Sequence, residues 1–199
     1  MTLPEHAICS FLLAQFGVRQ RLGTRGVVLV TVAGISPDFD AAAKIVSDSH
    51  FWGLHHALGH SLISVVVLST GIATVGRFAF NVRPFTFLFT WCLIAALVYC
   101  LSDALYWWGI QPFWPFSGFE ICFNLLEYLD LFVLALWLSA ALGVFKLPDS
   151  RRVASVTFTL FVIYVALRAL LPPPTGLLKL LTGGWMYEAP QGTPFLDWW

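Results

Sequence analysis

Histidines and aspartates gather near the ends of the apolar segments in the first half of this chain. All five histidines lie within the first sixty residues. Imidazole and carboxylate groups bind divalent metal ions, and a bound ion lowers the pKa of a coordinated water molecule so that it attacks near neutral pH. The pattern indicates a metal site at one end of a helix bundle. The groups that lie where apolar segments begin or end are His6, Asp38, Asp40, His55, His56, His60 and Asp103.

The stretch H-H-A-L-G-H-S at His55–Ser61 allows two arrangements of ligands. His56 and His60 share one face if a helix already includes them, and His55 would then point about 140° away from His60. If His55 and His60 both bind the ion, the stretch must form a turn, which Gly59 permits. Both arrangements stay open at the level of sequence.

The composition is that of an integral membrane protein. The 199 residues are 58% hydrophobic and 11% charged, with a mean hydropathy of +0.79, whereas a soluble domain carries about 25% charged residues. The N-terminal M-T-L-P-E-H lacks the basic region of a signal peptide, so we expect the first apolar segment to be retained. The net charge is zero and the basic residues are scattered, so no nucleic-acid partner is expected.

Six apolar segments predict an all-α, polytopic integral membrane helix bundle of about six helices, the first two short. The last four are long enough to span, because about 20 residues cross a hydrocarbon core of about 30 Å. Ten residues reach only about 15 Å, so we expect the second helix to lie inside the protein and to end at Pro37. Residues 1–171 form one transmembrane domain in this interpretation, and residues 172–199 an interfacial tail. The segments are Leu3–Val18, Gly26–Ile35, Ser61–Phe80, Phe85–Trp108, Ile121–Phe145 and Val153–Leu171.

Basic residues predict the orientation of the bundle. Because the positive-inside rule places basic hairpins in the cytoplasm, the His/Asp residues are expected to face the non-cytoplasmic side of a bacterial inner (plasma) membrane. Eight of the eleven lysines and arginines lie between segments one and two, three and four, or five and six: Arg19, Arg21, Arg25, Arg77, Arg83, Lys146, Arg151 and Arg152.

The fifth segment carries further carboxylates. In a helix, Glu120, Asn124 and Glu127 fall within a narrow arc with Asp130 to one side, which predicts a polar stripe facing protein. We predict a structural ion pair between Asp130 and Arg168. Glu127 is a candidate general base or a group that orients a ligand. The four cysteines have no C-x-x-C spacing and are interpreted as buried thiols in helices.

The ordered motifs resemble those of the membrane-bound metal-dependent hydrolases of the YdjM type. That family has an early histidine, then P-D-x-D, H-R-G-x-T-H-S, H-x-x-x-D and a W-P-F-S stretch. Two positions differ here, because His56 replaces the family arginine and Tyr99 replaces the family histidine. A phenol, with an ordinary pKa of about 10, is a poorer ligand than imidazole. The resemblance covers about residues 1–120 and is carried by His6, Pro37–Asp40, His55–Ser61, Asp103 and Trp114–Ser117.

The resemblance implies a metal-dependent hydrolase with zinc as the first choice of ion and manganese as the alternative. The expected reaction is hydrolysis of an ester or phosphoester, with a membrane lipid or another amphiphilic molecule as substrate. Asp40 and Glu127 are the candidate catalytic carboxylates, Asp40 either bridging ions or orienting a ligand. The residues with implied ligand roles are His6, Asp38, His55, His60 and Asp103.

Each motif also has a purely structural interpretation. His6 and the other histidines would then be wetted interfacial residues, P-D-F-D an Asx-type turn, and Asp103 a cap. The chain would be a non-catalytic membrane protein, either a metal-ion or proton pathway or an inactive scaffold of the hydrolase family. Ionisable groups at membrane depth are costly and usually functional, so their combination in family order favours a metal site.

Overall fold

The described part of the chain contains six α-helices. The computed structural model describes residues 2–42, 56–106, 108–126 and 130–170. Within these ranges there is no strand, only a single bridge between Ile110 and Ile121. The predicted all-α membrane helix bundle is confirmed. The helices are α1 (Leu3–Leu13), α2 (Val18–Ile35), α3 (Leu62–Phe78), α4 (Phe85–Asp103), α5 (Leu131–Lys146) and α6 (Ser150–Leu170), with 3-10 helices at Ala14–Phe16 and Ser36–Ala42.

Two of the helices, α4 and α6, are long and apolar enough to cross a membrane by length and composition. We predicted four such segments. Helices α3 and α5 are also apolar but have only 17 and 16 residues, because α3 ends before its apolar run does and α5 begins well after the start of its run. The interfacial tail predicted for residues 172–199 lies outside the described residues.

The second helix differs from the short helix predicted at Gly26–Ile35. Helix α2 begins at Val18, so the arginines expected in a loop lie in helical backbone. Gly23 interrupts it with φ 65° and ψ −161°, a left-handed conformation that glycine adopts without steric cost. The helix ends at Ile35, and Pro37 follows in a 3-10 helix, close to the predicted end.

Side-chain caps fix the beginnings of three helices. At α1, Glu5 accepts hydrogen bonds from the backbone and hydroxyl of Thr2, forming a capping box. Ser61 caps α3 by accepting the backbone N–H of Ser64. Asp130 caps α5 by accepting two backbone N–H groups. Such caps stabilise a helix by about 1 kcal/mol each.

The predicted helix over Ile121–Phe145 is wrong in its first third. Described residues 104–126 form an irregular segment that folds back on the end of α4, where the N–H of Phe123 donates to the carbonyl of Ala104 at 2.7 Å. Asn124 has a positive φ of 50°. The predicted helical stripe therefore does not form, and Cys122 is exposed, whereas the other three cysteines are buried as predicted.

The helices pack so that the hairpin turns lie at one end of the bundle and the polar motifs lie at the other. Helix α2 lies against α1, α3 and α4, and α5 lies against α1 and α6. Close approach of α1 and α2 depends on Gly34, where a Cβ atom would overlap Ser10. Three buried cores result among the described residues, one around Leu88, one around Trp137 and one around Ala96 and Tyr99.

Candidate metal centre

Four helix ends bring the polar motifs together. His6 lies in the first turn of α1, and Asp103 is the last residue of α4. Asp40 lies in the 3-10 helix that follows α2, and His60 lies in the turn that precedes α3. All four side chains are buried, so the predicted convergence of helix ends produces an enclosed polar cluster.

Asp103 lies at the centre of this cluster. His6 Nε2 donates to Oδ1 at 2.9 Å, and His60 Nε2 donates to Oδ2 at 3.1 Å. Only 1% of Asp103 is exposed, and burying such a charge is favourable only when both oxygens are paired. One carboxylate therefore holds imidazoles from α1 and from the turn before α3.

A second carboxylate orients His60. Asp40 Oδ2 lies 3.6 Å from Nδ1 of His60 and accepts the backbone N–H of Gly59 at 3.2 Å. Burial disfavours the imidazolium, but hydrogen bonds and charges from Asp103 and Asp40 outweigh it and raise the pKa of His60 to about 9. A metal ion that binds this imidazole must displace the proton.

Two of the clustered residues form, with His56, a group suited to a metal ion. His56, His60 and Asp103 each offer one ligand atom, and these atoms lie within 4.8 Å of one another. The ligand atoms around a tetrahedral zinc ion are about 3.4 Å apart, close to the 3.1 Å between His60 Nε2 and Asp103 Oδ2. Two imidazoles and one carboxylate are donors that zinc accepts, so the residues fit a divalent ion.

His56 is the member of this group that is not among the five implied ligands, although one of the two arrangements that the sequence left open pairs it with His60. It has a φ of 65°, so residues 56–60 form a turn rather than the first turn of a helix. Its ring lies 4.7 Å from that of His60 and stacks on Trp108 at 5.6 Å. The spacing of four from His60 was the available signal. His55, the predicted ligand, lies outside the described residues.

Tyr99 occupies the position of the family histidine and packs against the cluster. Its ring stacks on His6 with centroids 3.6 Å apart and an angle of 27° between the planes. The Asp38 carboxylate interacts electrostatically with the Tyr99 side chain. Asp38 therefore interacts with the phenol and is not a member of the three-residue group.

A second polar cluster surrounds Asp130. Arg168 Nη1 lies 3.9 Å from Asp130 Oδ2, which is the predicted ion pair. The hydroxyl of Tyr164 donates to the same oxygen at 2.6 Å, a contact the sequence did not predict. Because Asp130 also caps α5, its carboxylate joins two helices. Glu127, the candidate general base, lies outside the described residues.

The helical fold and the buried His/Asp group define a membrane protein with a candidate metal centre. A family model described as YdjM inner membrane protein matches residues 1–173. The chain therefore belongs to the YdjM inner membrane protein family, and the resemblance in its first 120 residues is confirmed. A search of the curated proteins and a search of the solved structures each gave no match.

Proposed function

We propose that this protein is a metal-dependent hydrolase of an ester or phosphoester bond. The observation that supports this most directly is the group of His56, His60 and Asp103, buried or half-buried and contributed by separate parts of the chain. Divalent-metal hydrolases use such nitrogen and oxygen donors and leave a position for water. We further propose that the group faces the non-cytoplasmic side, because it lies opposite the arginine-rich turns.

The side chains around the group have distinct roles in this proposal. A bound divalent ion supplies Lewis acidity and an acidified water molecule. With an ion bound, Asp40, whose Oδ2 lies 3.6 Å from Nδ1 of His60, would favour the proton on Nδ1, and Nε2 would then be the ligand atom. Asp103 supplies the negative charge, and the stacked ring of Tyr99 fixes the plane of His6. Glu127 stays the candidate general base.

Zinc is the ion that we propose first, because imidazole and carboxylate donors suit it, and manganese is the alternative. The substrate is a membrane lipid or another amphiphilic molecule. Support comes from the loop after α4, at the same end of the bundle, where Phe113, Phe116 and Phe119 are exposed. Exposed phenylalanines insert into the lipid at a membrane interface.

Metal analysis of matched variants tests the site. We expect purified protein to bind about one zinc ion, and His56→Asn to lose it, because asparagine tolerates the positive φ but removes the imidazole. Asp38→Asn should keep the ion, because Asp38 interacts with Tyr99. Equal metal content in wild type and His56→Asn would contradict the assignment.

Hydrolysis is tested separately on a panel of p-nitrophenyl esters, phosphodiesters and short-chain phospholipids, with and without chelator. We expect activity that chelator abolishes and zinc restores. His56→Asn should lower kcat/KM by at least about 100-fold, the effect typical of an altered metal shell. Activity that is unaffected by both chelator and substitution would rule out the mechanism.

An inactive scaffold is the second candidate, and Tyr99 is the observation that favours it. Its phenol takes the place of the family histidine and interacts electrostatically with Asp38. Metal binding without hydrolysis on any panel member would support this alternative. Tyr99→His would then be expected to restore turnover, since it returns the family ligand and releases Asp38. Turnover in the wild-type protein would exclude it.

A further inference from the structure

The end of the bundle opposite the metal centre has an open cavity at its surface, with a volume of about 540 Å³. Its lining includes three arginines, Arg21, Arg25 and Arg83, together with Asn81 and three apolar residues. The volume lies within the range of about 300–1,000 Å³ that is typical of small-molecule sites. None of these residues takes part in the His/Asp cluster.

Two separate parts of the chain bring the arginines together. Arg21 and Arg25 lie on either side of the break in α2 at Gly23, and Arg83 lies in the turn between α3 and α4. Arg25 Nη1 donates to the carbonyl of Phe80 at 3.2 Å, which joins α2 to that turn. The convergence is therefore built by tertiary contacts and not by local sequence.

One of the arginines is held in a defined orientation. The guanidinium of Arg21 lies over the ring of Phe87 in the first turn of α4, 4.4 Å from its centroid. A cation stacked on an aromatic face is stabilised by about 0.5–1 kcal/mol when exposed. Stacking uses the face of the guanidinium and leaves its N–H edges available to an acceptor.

The cavity has no acidic residue in its lining. Within the ranges that the structure describes, none of the three guanidinium groups has a carboxylate within 4.0 Å. Three clustered cations without counter-ions repel one another, and an anion at their centre removes that repulsion. The cavity thus has the charge of an anion site.

We propose that this cavity binds the phosphate group of an anionic ligand. Guanidinium forks match phosphate oxygens in paired hydrogen bonds, which lysine does not provide, and all three cations are arginines. Leu22, Phe80 and Val82 add an apolar wall. The phosphate belongs to a lipid headgroup or to a soluble phosphate compound, and the two sources share this chemistry. The site does not depend on the proposed hydrolase activity.

Binding of matched probes to the full chain in a neutral detergent tests the proposal. The probes are inorganic phosphate, dihexanoyl phosphatidic acid and dihexanoyl phosphatidylcholine, whose headgroup has no net charge. We expect Arg83→Gln and Arg25→Gln each to weaken binding of the anionic probe about tenfold, the loss of one charge-assisted hydrogen bond. Arg151→Gln, at the start of α6 and outside the cavity, is the control and should leave affinity unchanged.

The arms distinguish the two sources of phosphate. Binding of phosphatidic acid alone identifies a lipid headgroup, whereas equal binding of inorganic phosphate identifies a soluble compound. Either result supports the site if Arg83→Gln weakens the binding that is observed. If Arg151→Gln weakens binding of the anion as much as Arg83→Gln does, binding depends only on the general positive charge of this membrane face, and the proposal is overturned. Failure of the wild-type protein to bind either anion would also overturn it. Thermal unfolding of each variant in the same detergent verifies that it is folded. If Arg25→Gln fails to fold, the binding measurement on Arg83→Gln, whose substitution lies in a turn, is sufficient to test the site.

Discussion

Replacement of Asp103 by asparagine tests whether one carboxylate holds the polar cluster together. Asn has the same shape but no charge, and its amide has one oxygen acceptor and one NH₂ donor. Asp103 now accepts from His6 at 2.9 Å and from His60 at 3.1 Å. In the variant only one imidazole keeps an acceptor, while the other faces the NH₂ group.

The magnitude follows from these contacts. A hydrogen bond to a charged group contributes about 1.5–3 kcal/mol, and removal of one partner from a buried pair costs about 3–5 kcal/mol. Loss of the carboxylate also lowers the pKa of His60 from its raised value of about 9, which lets this imidazole become neutral and recovers part of the cost. We therefore expect Asp103→Asn to lower the free energy of unfolding by about 3 kcal/mol at pH 7.

Reversible unfolding in detergent, with chelator present, measures this difference without any contribution from metal. Asp149→Asn is the matched control, because Asp149 is an exposed helix cap that accepts the N–H of Arg152, and asparagine caps equally well. We expect the control to change stability by less than about 0.5 kcal/mol. An Asp103→Asn protein as stable as this control would refute the assignment of Asp103 as the centre of the cluster.

Three further predictions concern other contacts. Tyr164→Phe should lower the free energy of unfolding by about 1.5–3 kcal/mol, because it removes the 2.6 Å hydrogen bond to buried Asp130; an unchanged unfolding curve would contradict this. Metal affinity should rise about tenfold per pH unit up to pH about 9, because the raised pKa keeps His60 protonated below that pH and the ion must displace the proton. Calorimetry in two buffers should detect the released proton. A metal affinity that does not change with pH would contradict this prediction. Gly59→Ala should destabilise the protein by more than about 2 kcal/mol in thermal unfolding, because the added Cβ atom would overlap the carbonyl oxygen of Pro37. A stability equal to that of the wild type would disprove the close approach of Gly59 to Pro37.

Apolar periodicity and capping residues account for most of the helices that the sequence predicts. Long apolar runs give α3, α4 and α6 because lipid forces every backbone group to be paired within the helix. The start of α5 was missed, although Asp130 is a good cap, because the apolar residues before it look equally helical. These residues are not helical because their backbone forms hydrogen bonds to the end of α4, as between Phe123 and Ala104. Such contacts join residues that are distant in sequence.

The cluster itself was predictable in part. The order of motifs indicated that His6, Asp40, His60 and Asp103 converge, since alternating helices place their ends on one side. The individual hydrogen bonds between imidazole nitrogens and carboxylate oxygens were not predictable. They depend on turn conformation and ring stacking, which leave no periodic pattern in the sequence.

The two departures from the family pattern meet at one imidazole. The ring of His60 lies 4.7 Å from His56 and 5.3 Å from Tyr99, although these two residues are 43 positions apart in sequence. Tyr99 stands where the family pattern has a histidine, and its side chain interacts with Asp38, whose ligand role stays a prediction. His56, which has a positive φ, offers a nitrogen within 4.8 Å of the ligand atoms of His60 and Asp103. Because both contact His60, a substitution at either position changes the environment of the same ligand atom, so their effects on metal affinity should not be additive.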